Sequence, residues 1–368
     1  MNTNRWPVGA AEWEARAAEV MDRGPFEWIA GGAGEEWTLR ATREAFHKWQ
    51  LRPRMLTGNL ERELSVEVLG TTSPAPFLLA PIGGQTLAHP DGELAVARAA
   101  VQTGIPMLVS TAASHSMEDI ARELGSHAGW FQLYWVSDKE VTESFVDRAT
   151  ACGYRAIVLT VDTPMVGWRD RDLRNAYVPF LKGEGIRQYT SDPVFRSRLT
   201  LTPEEDPVAA GEAVVKMFPN LSLTWKELAW LRERVRLPLL IKGLLTAEDA
   251  RRARDAGADG VIVSNHGGRQ LDGAIASLDA LPEVRRALGD DATVLMDSGI
   301  RRGSDVIKAL ALGADAVLLG RPFMYGLAVA GQEGVEHVLN SLTAEIDVAL
   351  SLVGAASAGG LDPSFVTR

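Results

Sequence analysis

His266 and Arg269 stand three residues apart in the run Ser264-Asn265-His266-Gly267-Gly268-Arg269-Gln270-Leu271-Asp272. An imidazole accepts a proton near neutral pH, and a guanidinium holds a carboxylate through two parallel hydrogen bonds. Together they suit an acid with a removable hydrogen close to its carboxyl group. The same nine residues also read as an ordinary glycine-rich turn with a solvated arginine, so their surroundings decide between the two.

The run follows Gly260-Val261-Ile262-Val263, an apolar stretch that predicts a buried strand ending at the histidine. The chain repeats this theme from residue 76 onward. The other apolar, β-rich runs are Phe77-Leu78-Leu79-Ala80, Pro106-Met107-Leu108-Val109, Trp130-Phe131-Gln132-Leu133-Tyr134, Ala156-Ile157-Val158-Leu159-Thr160-Val161, Leu239-Leu240-Ile241-Lys242, Val294-Leu295-Met296-Asp297 and Ala316-Val317-Leu318-Leu319-Gly320. Each leads through a polar or glycine turn into a helical stretch. Eight such units predict a parallel sheet buried on both faces and closed as a (β/α)8 TIM barrel.

In that fold the carboxyl ends of the strands build the active site. Every predicted strand delivers a polar or glycine residue there: Gly83, Ser110, Gln132 with Tyr134, Thr160 with Asp162, Lys242, Ser264 with His266, Asp297, and Gly320 with Arg321. Two turns, Asp297-Ser298-Gly299-Ile300-Arg301-Arg302-Gly303 and Leu319-Gly320-Arg321-Pro322, pair backbone N–H groups with an arginine before a helix start. This is the recurrent phosphate site of the fold, although the arginines could instead neutralise helix ends. Lys242, directly after Leu239-Leu240-Ile241, is costly inside a barrel unless it faces an anion; a reduced cofactor ring is one such partner, and a Schiff base is the other use of such a lysine. Arg169, in Gly167-Trp168-Arg169-Asp170-Arg171, reads equally as a second carboxylate clamp and as part of a solvated charged face.

Helices are predicted over residues 10–21 and 35–49, 91–102 before Gly104, 246–256 with Thr246 as cap, 304–312 before Gly313, and 335–352. Residues 64–69 read as a strand stopped by Gly70. The expected organisation is one domain over 1–368: a cap of helices over 1–75, a barrel over 76–350 and a tail over 351–368. A long segment over 163–237 reads as a lid, partly mobile. A formal charge of −10 argues against nucleic-acid and anionic-membrane surfaces. No apolar run approaches a membrane span, the N-terminus lacks a secretory pattern, and one cysteine excludes an internal disulfide, so the expected location is cytoplasmic. The scattered histidines show no metal-ligand spacing, and no metal is expected.

These motifs, in this order from about residue 10 to 350, resemble the FMN-dependent α-hydroxy-acid oxidases and dehydrogenases. The most specific are residues 264–272, Phe131-Gln132-Leu133-Tyr134, Thr160-Val161-Asp162-Thr163, Lys242-Gly243, residues 297–303 and Gly320-Arg321-Pro322. Within the family, Ala30-Gly31-Gly32-Ala33-Gly34, Pro53-Arg54-Met55-Leu56, Ala80-Pro81-Ile82-Gly83, Gly167-Trp168-Arg169 and Asp192-Pro193-Val194-Phe195 most resemble the lactate 2-monooxygenase branch. The resemblance implies FMN as cofactor and His266 as the base, oriented by Asp162. Arg269 and Arg169 would hold the substrate carboxylate, Tyr134 would bond the hydroxyl, and Lys242 would lie beside the reduced ring. It further implies that Ala80, Pro81, Ile82, Gly83, Ser110, Gln132, Thr160 and Ser264 line the ring system, and that Asp297, Gly299, Arg301, Gly320 and Arg321 hold the ribityl phosphate. Trp28 stands where the family usually has a tyrosine that contacts the substrate carboxylate, and Gly83 and Ala112 are small where they could open space that Trp28 takes.

The implied reaction is oxidation of a small L-2-hydroxy acid to the 2-keto acid with O2, followed in the monooxygenase mode by decarboxylation of lactate to acetate, CO2 and water. The alternatives are an oxidase releasing H2O2, an enzyme for aromatic hydroxy acids such as mandelate, and an FMN-dependent isoprenoid-diphosphate isomerase. A homo-tetramer or homo-octamer is expected from the resemblance.

Overall fold

The computed structural model describes residues 6–127 and 129–368. Eight parallel strands close into a barrel: β1 (Phe77–Leu79), β2 (Met107–Ser110), β3 (Gly129–Leu133), β4 (Ile157–Thr160), β5 (Leu239–Leu244), β6 (Gly260–Val263), β7 (Thr293–Met296) and β8 (Ala316–Leu319). Each pairs with its neighbours in the chain, and β8 closes the ring against β1. All eight expected strands are present, shifted by a residue or two at their ends.

Alternation along the strands explains why the runs are apolar throughout. Leu78, Leu108, Trp130, Val158, Leu240, Ile262, Leu295 and Leu318, one from each strand, form a cluster inside the barrel. Their neighbours, such as Phe77, Val109, Phe131, Ile157 and Ile241, pack outward in the larger core shared with the helices. Because side chains repeat every second residue, the positions two beyond the interior set share its face. These are Ala80, Ser110, Gln132, Thr160, Lys242, Ser264, Asp297 and Gly320, and the register pairs Ser110 with Gln132 and Thr160 with Lys242. The barrel thus changes from an apolar layer to a mostly polar one in a single step of the pleat.

The opposite, amino end is plugged by a hairpin, Val66–Val68 paired antiparallel with Thr71–Ser73. Val68 joins the interior cluster, and the Trp130 indole donates to Thr71 Oγ1 at 2.9 Å. The strand starts at Val66, two residues inside the expected 64–69, and stops at Val68 because Leu69 (φ 48°) and Gly70 (φ 74°) form the turn.

Three helices precede the barrel: α1 (Ala10–Val20), α2 (Arg23–Ala30) and α3 (Trp37–Lys48). The patterning missed α2, whose Gly24 and Pro25 argue against a helix in sequence. Pro25 falls in its first turn, where no N–H is needed. The α3 start is capped from a distance, since the Asp272 carboxylate accepts from Thr38 N at 2.8 Å and Glu35 N at 3.0 Å. Helices Gly92–Thr103, Ala247–Asp255 and Gly303–Ala311 match expectation. The final helix is longer than expected, Arg321–Val353, and breaks at Ala330 and Gly331.

The segment after β4 is more ordered in its secondary structure than a lid loop. It carries Asp170–Arg174, Pro179–Lys182, Arg187–Thr190, Pro193–Arg196 and Pro207–Met217. Its last helix, Trp225–Arg234, occupies the ordinary barrel position before β5 and starts with a Thr224/Glu227 capping box. The fully buried Asp192 caps the fourth of these helices and pairs with Arg148 at 2.9 Å, tying the excursion to the barrel. Among the described residues no helix is long and apolar enough to cross a membrane.

Candidate active site at the carboxyl mouth of the barrel

The turn after β6 places His266 in a left-handed backbone conformation, φ 58°, which few non-glycine residues adopt. Its N–H donates to Ser264 Oγ at 3.0 Å, and the N–H of Gly267 donates to Ser298 Oγ at 2.9 Å. Thus fixed, the ring puts Nδ1 2.9 Å from Asp162 Oδ1. Burial would raise the Asp162 carboxyl, but the charges of His266 and Lys242 outweigh it and hold it below its ordinary value. An ionised carboxylate only accepts, so Nδ1 carries the hydrogen and Nε2 keeps its lone pair. Burial, with Lys242 and Arg169 adding like charge, keeps the imidazole below its usual value despite Asp162. The His266 imidazole is therefore neutral at neutral pH, with Nε2 able to accept a proton.

Arg169 and Arg269 reach the same cavity from different turns. Arg169 Nε donates to the Arg269 carbonyl at 3.1 Å, and Arg269 Nη1 donates to the carbonyls of Gly31, at 2.8 Å, and of Trp28. Both guanidiniums stand over the Trp28 indole, at 5.0 and 5.2 Å from its centroid. Burial pushes both pKa values down, Arg269 well down, with Arg169 beside it lowering it further. Their nearest carboxylate is Asp172, 3.8 Å from Arg169 and itself pushed up by burial. Two enclosed cations with so little compensation call for an anion.

The polar layer forms the floor. Lys242 Nζ donates to Ser264 Oγ at 2.9 Å and lies 3.1 Å from Asp297 Oδ2; burial opposes its charge, but Asp297 and Asp162 leave its pKa above the ordinary lysine value. Gln132 Oε1 accepts from Ser110 Oγ at 3.0 Å, while Gln132 Nε2 and Thr160 Oγ1 are buried without partners. Arg301, brought to a pKa of about 10 by burial, makes no salt bridge among the described residues and lines the cavity beside Gly299. The Arg321 guanidinium is instead spent on the carbonyls of Ile29, Gly31 and Gly267 at 2.8–3.0 Å, so it ties the α2 end to the His266 turn as well as facing the cavity.

The empty space of this cavity, mouth included, is about 1220 Å³. Of the residues singled out in the sequence, Trp28, Ala80, Pro81, Ile82, Gly83, Tyr134, Arg169, Lys242, His266, Arg269, Asp297, Gly299, Arg301, Gly320 and Arg321 line it. Asp162, Ser110, Gln132, Thr160 and Ser264 stand behind or beneath that lining. Gly83 and Ala112 do not leave space between them, since a Cβ on Gly83 would fall 2.6 Å from the Ala112 Cβ. The sequence reading missed Gln270, whose Nε2 donates to the Asp162 carbonyl at 2.8 Å and whose Oε1 accepts from Arg169 at 3.3 Å; its place next to Arg269 was the available signal. It also missed the aromatic rim of Trp28, Phe180, Phe218 and Tyr134, each ring 5.0–6.3 Å from the next, because Phe180 and Phe218 arrive from the long excursion.

The cations that line this mouth, Arg169, Lys242, Arg269, Arg301 and Arg321, outnumber its carboxylates, Glu184 and Asp297, which is the lining of a barrel enzyme suited to anionic ligands. The chain belongs to the FMN-dependent dehydrogenase family, which it matches over residues 17–368. It is 45% identical to an L-lactate oxidase of Nostoc sp. across 98% of both chains, and 44% identical to an L-lactate oxidase of Lysinibacillus sphaericus across 97% of this chain and 92% of the relative. A crystal structure of mandelate oxidase with (S)-4-hydroxymandelic acid superimposes with a TM-score of 0.86 at 40% identity, covering 96% of this chain and 97% of that one. The protein is an FMN-dependent oxidoreductase. Its residues fit the cofactor: Gln132 Nε2 and Thr160 Oγ1 want partners on an acceptor-bearing ring, and Arg301 beside the Gly299 turn wants a phosphate.

Proposed function

We propose that the enzyme oxidises a small L-2-hydroxy acid of the lactate type to the 2-keto acid, with O2 as electron acceptor. The observation that carries this reading is His266, backed by Asp162, sharing one cavity with the Arg169/Arg269 pair. Arg169 and Arg269 hold the substrate carboxylate. His266 Nε2 takes the proton that leaves the substrate, and Asp162 stabilises the imidazolium that results. Tyr134, whose hydroxyl burial pushes up to about 12, stays protonated and hydrogen-bonds the substrate hydroxyl.

FMN, when bound, accepts the electron pair removed from the substrate carbon and passes it to O2. Ala80 to Gly83, Ser110, Gln132, Thr160 and Ser264 would line its ring, Lys242 would supply positive charge to it, and Asp297, Gly299, Arg301, Gly320 and Arg321 would hold the phosphate end. The names of the Nostoc and Lysinibacillus relatives favour release of the keto acid together with H2O2. Decarboxylation of lactate to acetate, CO2 and water is the second reading, favoured by Pro179, Phe180 and Phe218, which roof the cavity and would retain the keto acid. A cytoplasmic homo-tetramer or homo-octamer completes the proposal.

The test is direct. Lactate added under nitrogen should bleach the yellow protein, and on admitting air one H2O2 should form per O2 consumed. CO2 in place of peroxide would select the second reading, and a failure to bleach with any 2-hydroxy acid would remove both.

A further inference from the structure

A second cavity lies against the first. It is walled by Leu159, Leu223, Trp225, Leu228 and Leu244, between the β4 and β5 ends and the Trp225–Arg234 helix, with Asn220, Thr224 and Asp249 also among its lining residues. Three side chains, Tyr134, Thr163 and Phe218, line both cavities, so the partition is one side chain thick. Its core is the edge-to-face contact of Tyr134 on Phe218, ring centroids 5.0 Å apart.

The two halves of that partition are held differently. Tyr134 follows β3, and its N–H donates to Thr111 Oγ1 at 3.0 Å. Phe218 ends the Pro207–Met217 helix of the excursion. Two residues on, Asn220 Nδ2 donates to the carbonyls of Trp135 and Val136 at 3.2 Å each, and its N–H donates to the Pro164 carbonyl at 3.0 Å. The far wall is thereby pinned to the barrel, and the Phe218 side chain is the part of the partition that the excursion contributes.

Resting on the reading that Arg169 and Arg269 hold the carboxylate, we propose that this second cavity receives the apolar tail of larger 2-hydroxy acids, with Phe218 as the gate. The substrate class is then a 2-hydroxy acid with an unbranched alkyl chain several carbons longer than lactate. The leucine and tryptophan walls favour an alkyl chain over an anionic one, and the polar lining groups are already engaged, Asn220 with the Trp135 and Val136 carbonyls, Thr224 with Glu227, and Asp249 with Thr246 Oγ1 at 3.0 Å. Tyr134 faces both spaces, so a tail passing Phe218 leaves the carboxyl end in the first cavity.

Burying methylenes predicts a gain in kcat/KM of about tenfold for each two that enter the cavity. The experiment compares lactate, 2-hydroxyhexanoate and 2-hydroxyoctanoate on the FMN-loaded wild type, on Leu223→Trp, which fills the cavity from a wall remote from the chemistry, and on Phe218→Ala, which opens the gate. Calorimetric binding of octanoate and of propanoate, which lack the hydroxyl and do not turn over, supplies the second readout. The expected result is a rise with chain length that Leu223→Trp abolishes without changing lactate turnover and that Phe218→Ala steepens, with octanoate binding following the same order. Flat or falling chain-length dependence in the wild type, or equal loss for lactate and 2-hydroxyoctanoate in Leu223→Trp, overturns the tail pocket. If no hydroxy acid is oxidised, the reading of the first site fails, and octanoate binding to the wild type and Leu223→Trp still decides the second cavity.

Discussion

His266 Nδ1 lies 2.9 Å from Asp162 Oδ1, across the ends of β6 and β4, and this contact sets the tautomer of the ring while burial, against Asp162, sets its charge. Burial, Lys242 and Arg169 keep the ring below its ordinary 6.5, so the competent neutral form dominates through neutral pH. We therefore expect kcat/KM for lactate to rise with pH through a pKa below 6.5 and to stay level beyond it. Asp162→Asn removes the main acidic partner, so the apparent pKa should fall further while the rate drops roughly 10²–10⁴-fold. A pH–rate profile that moves upward in the variant would contradict the assignment.

The same two groups fix the sign of acid sensitivity. Both are depressed in the folded protein, so the unfolded chain binds the proton first and stability falls as pH falls. The loss should begin near pH 6.5, where the unfolded histidine takes up its proton while His266 resists, and a second loss should follow below 3.8, where the unfolded aspartate protonates before Asp162. Thermal unfolding of His266→Gln against pH should lack the first of these losses.

Lys242 and Asp297 form a buried pair, 3.1 Å apart and less than 10% exposed. Lys242→Met leaves the buried Asp297 carboxylate with only the Ser298 hydroxyl, at 2.7 Å, and losing one partner of a buried pair costs about 3–5 kcal/mol. The melting temperature should fall accordingly, and adding Asp297→Asn should recover part of it. A double variant no more stable than Lys242→Met would show that the pair is not coupled.

Trp28 supports both arginines with its indole face rather than with a hydroxyl. Stacking of this kind is worth about 0.5–2 kcal/mol per cation. Trp28→Ala should raise KM for lactate roughly tenfold by this estimate with a smaller change in kcat, because the arginines lose their platform while the base is untouched. Trp28→Tyr should recover part of the affinity through its smaller ring. A fall in kcat at unchanged KM would mean that Trp28 acts on the chemistry instead.

The barrel and most of its mouth were legible in the sequence because each strand writes its two layers with period two. Leu240 and Lys242, or Leu108 and Ser110, are an interior apolar residue and the polar one above it, and the repetition of that step on six of the eight strands names the floor. The β4-to-β5 excursion offered no such periodicity. Phe180 and Phe218 reach the rim through helices of four and eleven residues whose direction depends on tertiary contacts such as Asp192 with Arg148. Arg321 was legible as a cation beside a glycine turn but not as the tie between α2 and the His266 turn, since its acceptors are backbone carbonyls, which every residue type supplies equally.

Gly243 shows how a residue with no reactive group can govern the base. It follows Lys242 at an irregularity in the β5–β6 register, with φ 106°, a conformation that side chains disfavour. A Cβ there would stand 2.6 Å from the Cβ and Cγ of Asp162 and 2.9 Å from its N, leaving no direction in which a methyl could yield. Gly243→Ala must therefore displace Asp162, lengthen its contact with His266 and disturb Lys242 on its other side. We expect turnover to fall at least as far as in Asp162→Asn, although alanine adds no charge and removes no hydrogen bond of its own. Gly273→Ala, also at positive φ (93°) but with open space around the new Cβ, serves as the control for backbone strain alone. If both alanine variants lose activity equally, strain is the cause; if only Gly243→Ala does, the placement of Asp162 is what the glycine protects.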